Sequence, residues 1–259
     1  MSDSSSVGTE HGNVFELLPF LEADLGHAAV VDFPWEFNGE NGTGRFQSTG
    51  SDRGFEVYQT EENDRLVDVL YELARVLVDG AWLFVFADDD TQPEFREYLE
   101  DSPLTYRRSC VWDREKFGMG YYHRVQHYPI LTATNGETDR YVQDRGTVFR
   151  AARNDFTAVH NDDAYPTSKP VGLYRQMLAE PVLKDGERLL EPFCGTGPGA
   201  AVAAERGLDY WGADTNPEAV KQARQELEQA RLTQDFIPRT GGGYNRSVDT
   251  EIDRSDGGT

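Results

Sequence analysis

The order of apolar and polar residues divides the chain into alternating strand-like and helix-like segments. Residues 81–87 form a nearly continuous apolar run, which is typical of a strand buried on both faces of a parallel sheet. Residues 61–79 instead carry apolar side chains every three or four positions up to Gly80, the pattern of a helix with one buried face. The same reasoning predicts further strands at residues 26–31, 106–112, 123–134 and around Leu189 and Tyr210, and further helices at residues 93–99, 171–178, 199–206 and 217–231.

This alternation predicts an α/β fold with a doubly wound, mostly parallel sheet. The consecutive strands at 106–112 and 123–134 are expected to form its antiparallel edge. Ligands of such folds bind at the carboxyl ends of the strands, so the ends of the strands at Val30 and Leu189 are expected to meet at one site.

Polar segments set the expected limits of the domain. Residues 1–12 and 240–259 are rich in Ser, Gly and Asp and are expected to be disordered. Residues 13–239 are then one domain, since a chain of 259 residues is long enough for one large core. Within it, residues 36–54 are rich in Gly and Asn and are expected to form a loop that closes over a substrate; the alternative is a solvated surface loop.

The chain is strongly acidic, with a formal net charge of −21 and few lysines. This sign is unfavourable for binding a polyanion, because phosphate contacts need clustered Lys and Arg. Either the protein does not bind nucleic acid, or it works in molar salt, where charge repulsion is screened. Scarce lysine with abundant aspartate resembles the bias of halophilic archaea and their viruses and favours the second account. A local positive patch facing nucleic acid is then expected from four arginines, Arg140, Arg145, Arg150 and Arg153.

Other features narrow the class of protein. Cys110 and Cys194 lie in segments expected to be buried and give no disulfide framework, which suggests a reducing interior. No apolar run reaches the ~18 residues of a membrane span and no signal peptide is visible, so we expect a cytoplasmic protein. His123 and His127 lack a Cys or acid partner at metal-ligand spacing, so no metal site is predicted.

A glycine-rich loop follows the strand at Leu189. The sequence Cys194-Gly-Thr-Gly-Pro-Gly199 leads into a predicted helix, and Asp214 follows Gly195 by about 20 residues. Glycines let a backbone approach a ligand closely, and an acid at this distance can hold a ribose diol. The segment therefore predicts a nucleotide-type cofactor site, although a short loop before a helix is also ordinary in any α/β protein.

Two further segments give the loop a more specific meaning. They are Asp32-Phe-Pro-Trp35, at the end of the first strand, and Tyr165-Pro-Thr-Ser-Lys-Pro170. Together with Glu191-Pro-Phe-Cys-Gly-Thr-Gly197, they resemble the D-P-P-Y/W, H-P-T-Q-K-P and D-P-F-x-G-S-G motifs of S-adenosylmethionine-dependent amino methyltransferases that act on nucleic acid bases. Their order is that of the permuted beta class. The resemblance covers residues 30–224 and implies a Rossmann-like methyltransferase fold.

The resemblance assigns the catalytic motif to Asp32, Phe33, Pro34 and Trp35. Asp32 would accept one N–H of the target amine, the backbone carbonyl of Phe33 would accept the other, and Trp35 would stack on the extruded base. Phe33 stands where the family has proline. The carbonyl survives this exchange, but the rigidity of the proline is lost. The alternative without a catalytic role is that Asp32, at the end of the strand, caps a turn while Trp35 packs in the core.

The resemblance also implies S-adenosyl-L-methionine as cofactor. Gly195 and Gly197 would permit close approach to its methionine portion, and Asp214 would bind the ribose hydroxyls. Glu191 would contact the methionine amino group or order the loop. The remaining assignments each have an alternative: Phe193 is a pocket wall or a core residue, and Thr167 and Lys169 frame the cofactor's carboxylate, unless Lys169 is a surface lysine.

The resulting expectation is a methyltransferase that forms N6-methyladenine in DNA, since Asp heads the catalytic motif. The same chemistry on cytosine N4 or on RNA is the first alternative, and a cofactor-binding module without catalysis is the second. The region expected to recognise sequence, residues 136–164, is short. A short recognition sequence, or help from a second copy of the chain in a homodimer, would follow.

Overall fold

The computed structural model describes residues 8–33, 65–118, 122–152 and 168–236. The strands within these residues are β1 (Gly8–His11), β2 (Gly26–Val31), β3 (Leu77–Phe86), β4 (Thr105–Asp113), β5 (His127–Thr134), β6 (Val148–Arg150), β7 (Arg188–Glu191) and β8 (Asp209–Asp214). The helices are α1 (Val14–Leu17), α2 (Arg65–Val76), α3 (Gln92–Asp101), α4 (Val171–Met177), α5 (Pro198–Arg206) and α6 (Pro217–Phe236), with a 3-10 turn at Leu18–Phe20.

All eight strands join one sheet in the order β1-β8-β7-β2-β3-β5-β4-β6. Every neighbouring pair is parallel except those made by β5, which is antiparallel to both β3 and β4. The predicted doubly wound, mostly parallel α/β fold is confirmed. The antiparallel strand lies inside the sheet rather than at its edge, because β4 and β6 continue the sheet beyond it.

The chain leaves the centre of this sheet in two directions. From β7 it passes through α5 to β8 on one side, and from β2 it passes to β3 on the other. The neighbouring strands β2 and β7 therefore flank the switch point of the fold, where open α/β sheets bind their ligands.

Each face of the sheet carries its own apolar core. Along β2, Ala28 and Val30 face the core beneath α4 and α5, whereas Ala29 and Val31 face the core beneath α2 and α3. Successive side chains of a strand point to opposite faces. Burial on both faces is thus the reason why the central strands read as uninterrupted apolar runs.

The N-terminal segment corrects one prediction. Residues 1–12 were expected to be disordered, but Gly8–His11 form the edge strand β1, in parallel register with residues 211–214 of β8. The indole Nε1 of Trp211 donates to Glu10 Oε1 at 2.7 Å, and the Arg224 guanidinium donates to the carbonyl of Thr9. These partners lie about 200 residues away in sequence, so local composition carries no sign of the strand. Residues 1–7 and the expected tail at 240–259 lie outside the described residues.

Two boundaries also differ from the predictions. The helix predicted to run to residue 79 ends at Val76, and β3 begins at Leu77 and continues through Gly80. A short apolar run fits either a helix or a strand, so periodicity alone could not place this junction. The short strand β6 lies in the segment 136–164, where no strand was predicted. No helix in the described parts of the chain is long and apolar enough to cross a membrane.

Candidate active site

The carboxyl end of β2 delivers Asp32 to the switch point. Its Oδ2 forms an ion pair with Lys169 Nζ, and the side chains are 26% and 12% exposed respectively. The same ammonium lies 5.0 Å from the ring centroid of Phe86, at the end of β3. A carboxylate held in this way has a fixed orientation and a neighbouring positive charge. Lys169 was predicted to frame the cofactor's carboxylate, which stays a prediction, and the structure places its ammonium against Asp32.

Aromatic packing fixes the backbone directly after Asp32. The buried ring of Phe33 makes edge-to-face contacts with Phe95 and Phe193, at centroid distances of 6.1 and 5.2 Å. Burial of the ring therefore restrains the chain at the position where a proline would otherwise do so. Phe193 packs partly buried against this core. Pro34, Trp35 and Thr167 lie outside the described residues, and their roles stay predictions.

The glycine loop connects β7 to α5. Gly195 and Gly197 both adopt positive φ, +49° and +85°, which side-chain-bearing residues rarely do. A Cβ on Gly197 would also lie 2.6 Å from Cβ of Ala223, so the position requires glycine. At Gly195 no described atom lies within 4 Å of the corresponding point, so its backbone is open to close approach by a ligand. Gly197 is the N-cap of α5, whose first N–H groups face the same edge.

Asp214, at the end of β8, is bound to this loop. Its Oδ2 accepts from Gly195 N at 2.9 Å and its Oδ1 from Asn216 N at 2.8 Å. Burial raises the pKa of Asp214 above its ordinary value, and these two backbone hydrogen bonds oppose the rise. Each carboxylate oxygen retains a lone pair, so the oriented side chain can still accept hydrogen bonds from a diol.

Glu191, at the end of β7, is 1% exposed. Burial raises its pKa to about 8, although a hydrogen bond from the Tyr210 hydroxyl to Oε2, 2.6 Å long, opposes the rise. The Tyr174 hydroxyl also favours the carboxylate, but Oε1 has no hydrogen-bond partner of normal geometry among the described residues. A buried acceptor without a donor is costly. The site therefore fits a ligand that carries an ammonium group.

Sequence reasoning missed several residues around the site. Ser168 Oγ and Thr196 Oγ1 lie 2.9 Å apart and join the segment before α4 to the glycine loop. Beyond Asp214, Gly12 N donates to the Asp214 carbonyl at 3.0 Å, and His11 Nε2 lies 3.0 Å from the carbonyl of Thr215. Ser168 and Thr196 stand inside recognisable motifs and could have been found. The contribution of β1 has no local signal.

The prediction that four arginines form a patch facing nucleic acid is wrong for two of them. Arg140 makes two hydrogen bonds to the carboxylate of Glu187, of 2.6 and 2.7 Å, and Arg145 donates to backbone carbonyls in the last turn of α4 and just after it. Both therefore lie at the amino end of β7, opposite Asp32. Their charges serve internal contacts, a use that composition cannot distinguish from an exposed patch. Arg150, 66% exposed at the end of β6, does lie towards the carboxyl edge, and Arg153 lies outside the described residues.

Similar folds occur in solved structures of low sequence identity. The M1.HpyAVI–SAM complex has a TM-score of 0.63 at 13% identity, over 86% of this chain and 99% of that one. TTHA0409 from Thermus thermophilus, crystallised with S-adenosyl-L-methionine, has a TM-score of 0.61 at 15% identity, over 87% and 94%. The cytosine-N4-specific PvuII DNA methyltransferase has a TM-score of 0.64 at 12% identity, over 89% and 92%.

Comparison with curated protein sequences gives no significant match. A protein-family profile, by contrast, matches residues 43–225, and its description is DNA methylase, N6_N4_Mtase. The match includes the glycine loop and Asp214 and begins after Asp32. Since it spans more than half of the chain, the protein belongs to the N6_N4_Mtase family of DNA methylases.

Proposed function

We propose that the protein transfers a methyl group from S-adenosyl-L-methionine to the exocyclic amino group of a DNA base. The observation that carries this proposal is the placement of Asp32 and the glycine loop at the carboxyl ends of the neighbouring parallel strands β2 and β7. One strand end presents a hydrogen-bond acceptor for an amine, and its neighbour presents groups suited to the cofactor. Family membership supports the same reaction.

The cofactor fits the groups on the β7 side. Glu191 Oε1 would accept from the methionine ammonium, Asp214 would accept from the ribose hydroxyls, and Gly195 would allow the backbone to approach. The M1.HpyAVI complex contains SAM, and TTHA0409 was crystallised with it. Bound S-adenosylmethionine supplies a methyl group on a sulfonium, which is electrophilic enough for in-line displacement.

Asp32 would act on the other reactant. An exocyclic amine is a weak nucleophile because its lone pair is delocalised into the base. An N–H···O⁻ hydrogen bond to Asp32, with a second to the Phe33 carbonyl, returns electron density to the nitrogen. Transfer would form the N–C bond as the S–C bond breaks, with S-adenosylhomocysteine as the leaving thioether, and the proton lost from the nitrogen would pass to solvent. Lys169 would hold Asp32 in place while this happens.

We propose adenine N6 as the acceptor, because an aspartate heads the catalytic motif. Cytosine N4 is the second candidate, since the PvuII cytosine-N4 enzyme matches the fold with a TM-score of 0.64. The two amines occupy similar positions on the Watson–Crick edge of their bases, so Asp32 could accept a hydrogen bond from either.

Mass spectrometry of nucleosides provides the test. Purified protein, S-adenosylmethionine and unmethylated genomic DNA should yield N6-methyladenine, and Asp32→Ala should form it at least about 100-fold more slowly. Formation of N4-methylcytosine instead would overturn the assignment of adenine as the acceptor but leave the proposed methyl transfer to an exocyclic amine intact. If the DNA stays unmodified although calorimetry shows that the protein binds the cofactor, a binding module without catalysis would be favoured.

A further inference from the structure

The hairpin between β4 and β5 differs from the rest of the surface. We define the hairpin tip as residues 114–118 and 122–126. It exposes two large aromatic side chains, Phe117 at 60% and Tyr122 at 89%. Singly exposed apolar side chains are common on protein surfaces, but two on one tip indicate a contact surface.

The charge of the tip also departs from the protein's average. It contains Arg114, Lys116 and Arg124 against a single acid, Glu115, in a chain of net charge −21. Asp113, just before the tip, lies 3.8 Å from the Arg150 guanidinium, which offsets its charge. In a protein this acidic, a local excess of cations beside exposed aromatics fits a polyanion whose bases can be stacked upon.

Internal contacts hold this tip in shape. Arg124 donates to the carbonyls of Gly118 and Phe117 at 2.9 and 3.3 Å, and its guanidinium lies 5.6 Å from the Phe117 ring centroid. Gly118 N donates to the Val125 carbonyl at 2.6 Å. These contacts join residues 117–118 to residues 124–125 without burying the Phe117 ring, which remains exposed to a partner.

Sheet register places the tip beside the reaction site. Val31 of β2 lies opposite Val85 of β3, so the next residue, Asp32, is level with Phe86. Across the sheet, Phe86 lies opposite Ile130 of β5. Ile130 in turn lies opposite Cys110 of β4, so Cys110 is at the same level as Asp32. Asp113 is three residues further along, about 10 Å beyond that level. Since β3 and β5 separate β2 from β4, the lateral offset is about 14 Å. The tip thus projects past the edge that holds Asp32, and its base at Asp113 lies about 17 Å from Asp32, roughly the length of five base pairs of a duplex.

We propose that the hairpin tip is a docking surface for duplex DNA that flanks the target base. Lys116 contacts a phosphate, Arg124 holds the Phe117 segment in place through its two carbonyl hydrogen bonds, and Phe117 packs on the sugar or base face next to the extruded nucleotide. The inference deepens the proposed function and rests on it. It also moves the main DNA contact away from Arg140 and Arg145, which are engaged within the protein.

Fluorescence anisotropy with a labelled 24-base-pair duplex of mixed sequence tests the surface. The variant Lys116→Glu/Phe117→Ala is compared with a matched control, Lys184→Glu/Phe20→Ala, in which both residues are exposed near the opposite edge of the sheet. We expect the tip variant to lose affinity at least about tenfold and the control to stay within about twofold. The dependence of log Kd on log salt should also become shallower by about one unit.

Two further measurements separate the outcomes. Calorimetry should show wild-type cofactor affinity in the tip variant, which excludes misfolding, and Phe117→Tyr should retain DNA affinity. Equal DNA binding by tip variant and control would overturn the docking surface while leaving the proposed function intact. A wild-type protein that binds cofactor but no duplex between 0.1 and 1 M KCl would overturn both.

Discussion

The two sides of the switch point are built differently. On the cofactor side, residues 188–214 combine buried acids with short hydrogen bonds: Glu191 is bound by Tyr210, and Asp214 by the loop at Gly195. On the substrate side, Asp32 is held by an ion pair with Lys169, and the exposed hairpin tip projects beyond it. The first side is organised before any ligand arrives. The second carries the groups that would act on a base extruded from a duplex.

This difference separates affinity from turnover. Groups fixed on the cofactor side should determine binding of S-adenosylmethionine, whereas Asp32 and Lys169 should determine the rate of transfer. A substitution on one side should therefore change either cofactor affinity or the rate of transfer and leave the other unchanged. A substitution that changes both would show that the two sides are not independent.

Asp32→Ala should have the largest effect. Removing the acceptor that activates the amine should lower methylation of DNA by at least about 100-fold, while calorimetric affinity for the cofactor stays within about threefold. Asp32→Asn keeps the shape and is the conservative comparison. A similar loss of cofactor affinity in the alanine variant would contradict the separation of the two sides.

Asp214→Ala should produce the opposite pattern. Loss of charge-assisted hydrogen bonds to the ribose should weaken cofactor binding by roughly 1–3 kcal/mol, which calorimetry measures directly. Asp209→Ala, at the other end of β8 and half exposed, is the matched control. Unchanged affinity in Asp214→Ala would remove this residue from the cofactor site.

Glu191 should couple cofactor binding to proton release. Its pKa of about 8 in the unliganded protein means that the carboxyl is largely protonated at pH 7, and contact with an ammonium favours the ionised form. Binding at pH 7 should then release up to about one proton, measured by calorimetry in buffers of different ionisation enthalpy. Glu191→Gln should release none. Equal proton release in both proteins would place the ammonium elsewhere.

The same raised pKa predicts how pH affects the unliganded fold. Because the folded-state pKa lies above the ordinary value of 4.5, the folded protein binds this proton more tightly than the unfolded chain. Its stability should therefore decline as pH rises from about 4.5 to about 8, relative to Glu191→Gln. Urea unfolding of both proteins at pH 5 and pH 8.5 measures the difference. A stability gap that does not change between these pH values would contradict the assignment.

Lys169→Met distinguishes its predicted role from its observed position. If the lysine orients Asp32, turnover should fall roughly tenfold with cofactor affinity unchanged. If it frames the cofactor's carboxylate, as the sequence suggested, affinity should fall instead. Lys184→Met, an exposed substitution near the amino end of β7, serves as the control in single-turnover kinetics and calorimetry.

The contrast between the sides also explains what the sequence could predict. Glu191, Gly195 and Asp214 lie within a short stretch of chain, where a strand, a glycine loop and a following acid are visible together. The Lys169–Asp32 pair joins residues 137 positions apart, and β1 pairs with a strand about 200 residues away. Local sequence patterns do not predict contacts between residues so far apart in the chain. The buried uses of Arg140 and Arg145 were missed for the same reason.

The smallest predicted effect concerns the link between the two sides. Ser168 precedes the lysine that holds Asp32, and its hydroxyl meets that of Thr196 in the glycine loop. Ser168→Ala should cost about 0.5–1.5 kcal/mol, or roughly two- to tenfold. If cofactor affinity and turnover fall together, this hydrogen bond couples the loop to Asp32. If only affinity falls, it belongs to the cofactor side, and if neither changes, the two sides are joined through the sheet alone. Thr196→Val removes the partner hydroxyl at nearly constant volume, and the double variant measures whether the two losses share one interaction.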